Sequence, residues 1–163
     1  MYEIKEAIGK ITDYSEDNPL NTASYKKKNN ENDDVTAFCF QGDRMFSGYG
    51  DGLICFWDLQ NHKGPGCPPM LPLIGHTNKV VHIEAIEGFE KIYSSSNDCT
   101  LRQWSIDLEK GLGFNERIFK FDDPVLCSKI HLDKNMLFTG CWDKQIRAIM
   151  LDTGVVDKTF IAS

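Results

Sequence analysis

Short apolar runs alternate with polar residues and turns from residue 35 onward. The pattern is clearest in three stretches, "VTAFCFQGDRMFSGYGDGLICFWDL", "VVHIEAIEGFEKIYSSSNDCTLRQWSI" and "VLCSKIHLDKNMLFTGCWDKQIRAIML". In each stretch, runs of β-branched and aromatic residues are separated by turns rich in Gly, Asp, Asn or Lys. Alternation with a period of two, bounded by turn residues, predicts antiparallel β-strands.

The three stretches are copies of one repeat. They begin at Val35, Val80 and Val125, at intervals of 45 residues. A further extended run follows each copy, in the order "PMLPLIG", "NERIFKF" and "VVDKTFIA". The sequence therefore predicts three copies of a four-stranded antiparallel unit. Every copy also holds a hydroxyl residue and, four positions later, an aspartate: Ser47 with Asp51, Ser94 with Asp98, and Thr139 with Asp143.

The residues around these pairs resemble the signature of the WD-repeat family. The first copy has Phe46-Ser47-Gly48 and Asp51 ahead of Phe56-Trp57-Asp58. The middle copy is the most complete, with Gly75-His76, Ser94, Asp98 and Trp104. The third copy has neither the Gly-His pair nor the Trp, and Ile149 stands in the Trp position. The 45-residue period fits the ~40–45 residues of one propeller blade in this family.

The resemblance implies an all-β fold, a partial β-propeller of about three four-stranded antiparallel blades. The blades are expected over about residues 35–74, 80–121 and 125–162, within a propeller segment of residues 35–163. Residues 1–34 are expected to form a polar N-terminal segment that is mostly disordered or contains a short helix over residues 3–11. Three blades do not close a ring, since propellers typically have 4–8. The chain is a fragment of a longer propeller, pairs with another copy or another propeller chain, or is an isolated arc.

His76, Ser94 and Asp98 have the side-chain types of a hydrolytic triad. The family resemblance implies a structural clamp instead, in which Trp104 bonds Ser94, Ser94 meets His76, and His76 meets Asp98. Ser94 follows two strand residues without a glycine-flanked nucleophile elbow, which favours the clamp over a Ser hydrolase. The matching clamp residues of the other copies are Ser47, Asp51, Trp57, Thr139 and Asp143.

In the WD-repeat family the loops that carry the Asp turns and the Gly-His pairs frequently bind partners. The resemblance therefore implies a candidate partner-binding face made of Trp142, Asn97, Tyr49, Asn78 and Lys79. Trp142 is its main candidate because large rigid aromatic side chains dominate interface energetics. The alternative interpretation packs Trp142 against a neighbouring blade.

These features favour a non-enzymatic scaffold that mediates protein–protein interactions. One alternative is an RNA- or ribonucleoprotein-associated factor, because "MLFTGCWDKQIRAIML" resembles the terminal repeat of nuclear zinc-finger proteins with a WD-repeat propeller. Another is a substrate adaptor of a ubiquitin ligase, because Trp57-Asp58-Leu59-Gln60 resembles the Trp-Asp-x-Arg signature of cullin ligase receptors. Gln60 stands where that signature has Arg.

Composition limits the classes of partner and cofactor that this chain is expected to bind. The net charge of −6 argues against broad attraction to nucleic acid or an anionic membrane. No apolar stretch approaches the ~20 residues that span a bilayer, and the N-terminus "MYEIKEAIGK" has acidic residues where a signal peptide would have its apolar run. An intracellular protein, cytoplasmic or nuclear, is therefore expected. No metal site and no cofactor are predicted, because the six cysteines form no Cys-x-x-Cys pair. Those cysteines are Cys39, Cys55, Cys67, Cys99, Cys127 and Cys141.

Overall fold

The computed structural model describes residues 34–61, 71–86, 91–107 and 112–161. Within these ranges the chain is all-β, with three four-stranded antiparallel sheets and one 3₁₀ turn at Leu132–Lys134. The prediction of three four-stranded units is confirmed. The helix predicted over residues 3–11 lies outside the described residues, as does the rest of the N-terminal segment before Asp34.

Each sheet keeps its strands in chain order, and each is called a blade here. Blade 1 contains β1 (Val35–Gln41), β2 (Arg44–Tyr49), β3 (Ile54–Asp58) and β4 (Leu71–Leu73). Blade 2 contains β5 (Val80–Ala85), β6 (Lys91–Ser96), β7 (Thr100–Asp107) and β8 (Leu112–Lys120). Blade 3 contains β9 (Val125–His131), β10 (Met136–Cys141), β11 (Gln145–Met150) and β12 (Val156–Ile161).

Strand register places alternate residues of each blade on opposite faces. In blade 1, Cys39 pairs with Phe46 and Phe46 pairs with Phe56, so all three share one face. That face packs on blade 2. Burial of this apolar surface is the main favourable term joining the two sheets. The core between blades 1 and 2 consists of Phe46, Ile54, Phe56, Leu71, Leu73, Val80, Ile83, Ile92, Trp104 and Ile106.

A second core joins blades 2 and 3. It contains Ile86, Tyr93, Leu101, Leu137 and Ile149. The first strands of the three blades, β1, β5 and β9, are neighbours in that order, and the last strands β4 and β8 also contact each other. The three blades therefore stack side by side in an arc, with β1, β5 and β9 on one side of it.

Polar contacts also connect neighbouring blades. The Thr36 hydroxyl donates to the Val80 carbonyl at 2.5 Å, between blades 1 and 2. The Glu84 carboxylate accepts the Ile130 amide at 2.9 Å, between blades 2 and 3. At the outer side, Arg117 of β8 donates to the Leu151 carbonyl at 3.1 Å. These bonds give each joint a defined register in addition to its apolar contacts.

Candidate functional site

The structure brings the four predicted clamp residues of blade 2 together. Trp104 Nε1 donates to Ser94 Oγ at 2.7 Å. Ser94 Oγ lies 2.8 Å from His76 Nε2, and His76 Nδ1 lies 2.8 Å from Asp98 Oδ2. Ser94, His76 and Trp104 are all buried. One continuous chain of hydrogen bonds therefore links two strands of blade 2 to the loop that precedes it.

Asp98 connects this chain to the turn between β6 and β7. One carboxylate oxygen accepts the backbone amide of Thr77 at 3.1 Å. The other accepts the amide of Thr100 at 2.9 Å and its hydroxyl at 2.6 Å. Burial alone would raise the pKa of Asp98, but the hydrogen bonds from His76 and Thr100 hold that pKa well below its usual range. Thr100 was missed at the sequence level, although a turn Asp commonly accepts a hydrogen bond from the residue two positions later.

The sequence of hydrogen-bond donors and acceptors from Asp98 to Trp104 fits a structural network. With the Nδ1 proton of His76 directed at Asp98, His76 Nε2 accepts the hydroxyl proton of Ser94. The remaining lone pairs of Ser94 then accept the indole N–H of Trp104. The distances match those of a Ser-His-Asp triad, but Ser94 is 0% exposed. A fully buried hydroxyl that already accepts an indole N–H does not reach a substrate in solution.

Blade 1 contains a variant of the same network. Trp57 Nε1 donates to Ser47 Oγ at 2.8 Å, and Ser47 Oγ donates to the Tyr49 hydroxyl at 3.0 Å. Asp51 Oδ1 accepts the amide of Leu53 at 2.9 Å in the adjoining turn. Tyr49 thus contacts the blade 1 hydroxyl as His76 contacts Ser94. The prediction that Tyr49 belongs to an exposed binding face is wrong, because its ring is buried beside Ser47.

Blade 3 has neither the imidazole nor the indole at these positions. Asp143 accepts the Gln145 amide at 2.9 Å and is also bonded by Arg147 Nη2. The guanidinium of Arg147 lies 5.5 Å from the ring centre of Phe121. Phe121 occupies the place of His76, 45 residues later. The buried Thr139 hydroxyl makes no hydrogen bond to oxygen or nitrogen within the described part of the chain.

The three Asp turns share one backbone geometry. The residue before each Asp donates its amide to the residue before the first strand of its blade. These bonds are Gly50 to Asp34 at 3.1 Å, Asn97 to Lys79 at 3.0 Å and Trp142 to Pro124 at 3.1 Å. The residue after each Asp has a positive φ, at Gly52, Cys99 and Lys144. All three turns therefore lie at the same end of their blades.

We call the surface at this end of blades 2 and 3 the turn rim, defined by Trp142, Asn97, Asn78 and Lys79. Trp142 is 68% exposed, so it does not pack against blade 2, its neighbour among the described residues. Asn78 and Lys79 are exposed and Asn97 is half-buried. At this common end, blade 3 therefore presents one large aromatic side chain, and blade 2 presents amide and ammonium groups.

The described residues also bear on two other kinds of site, a metal site and a membrane-spanning helix. No group of three or more His, Cys, Asp or Glu side chains is arranged to hold a metal ion in residues 34–61, 71–86, 91–107 and 112–161. In the same ranges, no helix has both the length and the apolar composition that a membrane crossing requires.

Sequence comparison gives two matches. The WD40 profile, described as WD domain, G-beta repeat, matches residues 23–58 and 115–148. The "DDB1- and CUL4-associated factor 11 homolog" of Caenorhabditis elegans is 27% identical over 81 residues. That match covers 48% of this chain but only 14% of the relative, so the chain spans a small part of that protein's length.

Two solved structures share the fold. The computationally designed Ika4 protein is 19% identical, with a TM-score of 0.64 over 84% of this chain and 78% of that chain. The computationally designed Ika8 protein is 20% identical, with a TM-score of 0.61 over 77% of this chain and 36% of that chain. At these identities the likeness concerns the fold alone.

These matches support some of the sequence-based predictions and leave others without support. They do not support the resemblance of the third repeat to nuclear zinc-finger proteins, so a nuclear or RNA-linked function stays a hypothesis. WD40 repeat domains are typically non-catalytic and bind proteins. The matched repeats and the three stacked sheets agree with each other. Two stretches of this chain match the WD40 repeat, and its described residues form three four-stranded antiparallel blades.

Proposed function

We propose that this chain is a non-enzymatic protein-binding module that engages its partners through the turn rim. The observation that carries the proposal is the 68% exposure of Trp142 on a turn with a fixed backbone. Burying an indole ring at an interface removes a large apolar area from water at a small cost in side-chain entropy. Asn78 and Lys79 supply polar contacts at the margin of that aromatic anchor.

The rigidity of the rim supports this assignment. The Trp142 amide bonds Pro124, and Asp143 is held by Gln145 and Arg147. A side chain that projects from a preorganised backbone loses less conformational freedom on binding than one on a loose loop. The burial of Ser94 supports the non-enzymatic part of the proposal, because the one Ser-His-Asp set identified in the sequence is closed to solvent.

Trp142→Ala tests the rim. Partners captured from a cell extract by the full chain should be recovered at least about 10-fold less well by this variant, as expected for loss of an interface hot spot. Phe114→Ala is the matched control, because Phe114 is an exposed aromatic residue on β8 outside the rim. Quantitative mass spectrometry of the captured proteins gives the readout. Equal recovery of every partner by wild type and Trp142→Ala would contradict the rim assignment.

A second candidate is association with DDB1 or CUL4, which the name of the nematode relative describes for that protein. In this chain the Trp57-Asp58-Leu59-Gln60 segment lies at the end of β3, and Gln60 is exposed. The side-chain Nε2 of Gln60 donates to the Asp43 carboxylate at 2.5 Å, and the backbone amide of Gln60 donates to the Asp58 carboxylate at 3.0 Å. An arginine at position 60 would therefore keep acidic neighbours.

Gln60→Arg tests the second candidate by restoring the Trp-Asp-x-Arg pattern. If this segment binds DDB1, the variant should bind purified DDB1 about 10-fold more tightly than wild type, as measured by biolayer interferometry. Thr159→Arg adds the same charge at an exposed position of β12, on another blade, and should leave the affinity unchanged. Equal gains in both variants would indicate nonspecific charge attraction instead.

A further inference from the structure

Blades 2 and 3 both carry an arginine four residues after the turn Asp, but the two side chains have different contacts. In blade 2, His76 of the preceding loop bonds the Asp98 carboxylate at 2.8 Å. Arg102 of β7 instead donates its Nε to the Thr100 hydroxyl at 3.3 Å. The imidazole is therefore the side chain that ties the turn of blade 2 to the loop before it.

Arg147 makes the corresponding connection in blade 3. Its Nη2 donates to the Asp143 carboxylate, and its guanidinium carbon lies 5.5 Å from the ring centre of Phe121. Phe121 belongs to the loop before β9 and has the position that His76 has before β5. The side chains of Arg147 and Asp143 are only 16% and 15% exposed, so both attractions are partly shielded from water. One guanidinium thus joins the turn to the loop where blade 2 uses an imidazole.

The same two segments determine where Trp142 lies. Trp142 directly precedes Asp143 in the turn, and its amide donates to the Pro124 carbonyl of the loop at 3.1 Å. Asp143 also accepts the Gln145 amide at 2.9 Å, which closes the turn. Because the indole is 68% exposed, packing contributes little to its orientation. The placement of the indole therefore depends on the contacts that hold the turn against the loop.

We propose that Arg147 is the positioning residue of Trp142. By joining the Asp143 turn to the loop before β9, Arg147 holds the turn in the conformation that presents the indole at the rim. Without the guanidinium, the turn has to be ordered by the partner itself, and that ordering weakens binding. The consequence for binding rests on the proposed function of the turn rim, whereas the effect on the turn does not.

Backbone amide hydrogen exchange tests the positioning without any partner. Arg147→Gln keeps a polar side chain but removes the charge, and it should accelerate exchange at the Trp142 amide about 10-fold or more through local opening of the turn. Arg117→Gln is the matched control, because Arg117 lies 5.9 Å from the Phe119 ring and donates to backbone carbonyls at the opposite end of β11. Exchange at Trp142 should be unchanged in this control. Equal exchange in wild type and Arg147→Gln, or equal acceleration by both substitutions, would overturn the proposal.

A rescue variant tests the role of the contact itself. Phe121→His combined with Arg147→Gln places an imidazole opposite Asp143, which reproduces the arrangement of blade 2. Exchange at Trp142 should then return to within about twofold of the wild-type rate. Phe121→Leu combined with Arg147→Gln should exchange as fast as Arg147→Gln alone. A rescue variant no slower than its leucine counterpart would contradict the positioning role, and a thermal melt of each variant checks that the chain is folded.

Recovery of captured partners distinguishes failure of the positioning role from failure of the proposed function. Arg147→Gln should reduce, by about threefold or more, the recovery of the partners that Trp142→Ala loses, and the imidazole rescue should restore it. If Trp142→Ala loses no partner while exchange at Trp142 still depends on Arg147, the proposed function fails and the positioning role stands. If Trp142→Ala loses partners that Arg147→Gln retains in full, the positioning role fails and the proposed function stands.

Discussion

Replacing His76 with alanine is expected to lower the free energy of unfolding by about 2–4 kcal/mol. The substitution removes a buried imidazole that joins Ser94 to Asp98. The Ser94 hydroxyl then has no imidazole to accept its proton. The Asp98 carboxylate loses the hydrogen bond from the imidazole and keeps only its bonds to Thr77 and Thr100. Loss of one member of a buried network also costs the polar groups left behind. Urea denaturation, with a thermal melt as a second probe, measures the change.

His131→Ala is the matched control for this prediction. His131 is exposed, and its side chain makes no capping bond to the 3₁₀ turn that follows it. Its removal should change the free energy of unfolding by less than about 0.5 kcal/mol, as is usual at surface positions. Asp98→Asn and the double variant complete a cycle, in which the two losses should be clearly non-additive. Equal effects of His76→Ala and His131→Ala would show that the clamp contributes little.

Most of the fold was predictable because one periodic signal repeats three times. A 45-residue spacing, alternating apolar positions and Asp turns together specify four strands per copy. The clamp of blade 2 was predictable because all four of its residues match the family pattern. The structure places His76, Ser94, Asp98 and Trp104 within hydrogen-bonding distance in the expected order.

Other features depended on packing that a motif does not contain. Tyr49 was assigned to the surface, yet it lies two residues after Ser47 on the same strand and therefore on the same face. The alternation of faces along a strand, with a period of two residues, could therefore have predicted that Tyr49 is buried. Blade 3 was harder, because Phe121 and Ile149 replace the His and Trp together. The contact of Arg147 with Asp143 becomes visible only when the strands are in place.

The joints between blades explain why such replacements are tolerated. Blade 3 has no imidazole–indole chain, but its joint with blade 2 still buries Leu137 and Ile149. Its Asp turn also keeps the same backbone geometry, with Lys144 at a φ of 63°. Apolar burial and turn geometry therefore recur in every blade, whereas the clamp is complete in blade 2 alone among the described residues.

Gly52→Ala should destabilise the protein by about 2–4 kcal/mol, because two separate costs combine at this residue. Gly52 has a φ of +96°, which side-chain-bearing residues rarely adopt. An added Cβ would also lie 2.5 Å from the His76 carbonyl oxygen and 3.0 Å from that of Asn78. These are backbone atoms of the loop that precedes blade 2, so they relieve the clash only if the loop moves. Urea denaturation measures the loss of stability.

Gly42→Ala separates the two costs. Gly42 also has a positive φ, of +56°, but nothing lies within 4 Å of an added Cβ. Its substitution should cost only about 1 kcal/mol, the backbone penalty of a left-handed residue. The Cβ added at residue 52 would displace the backbone of His76. Gly52→Ala should therefore also shift the NMR resonances of the His76 ring and the Trp104 indole, whereas Gly42→Ala should not. Equal destabilisation by the two variants, with both sets of resonances unmoved, would mean that the turn of blade 1 does not press on the His76 loop.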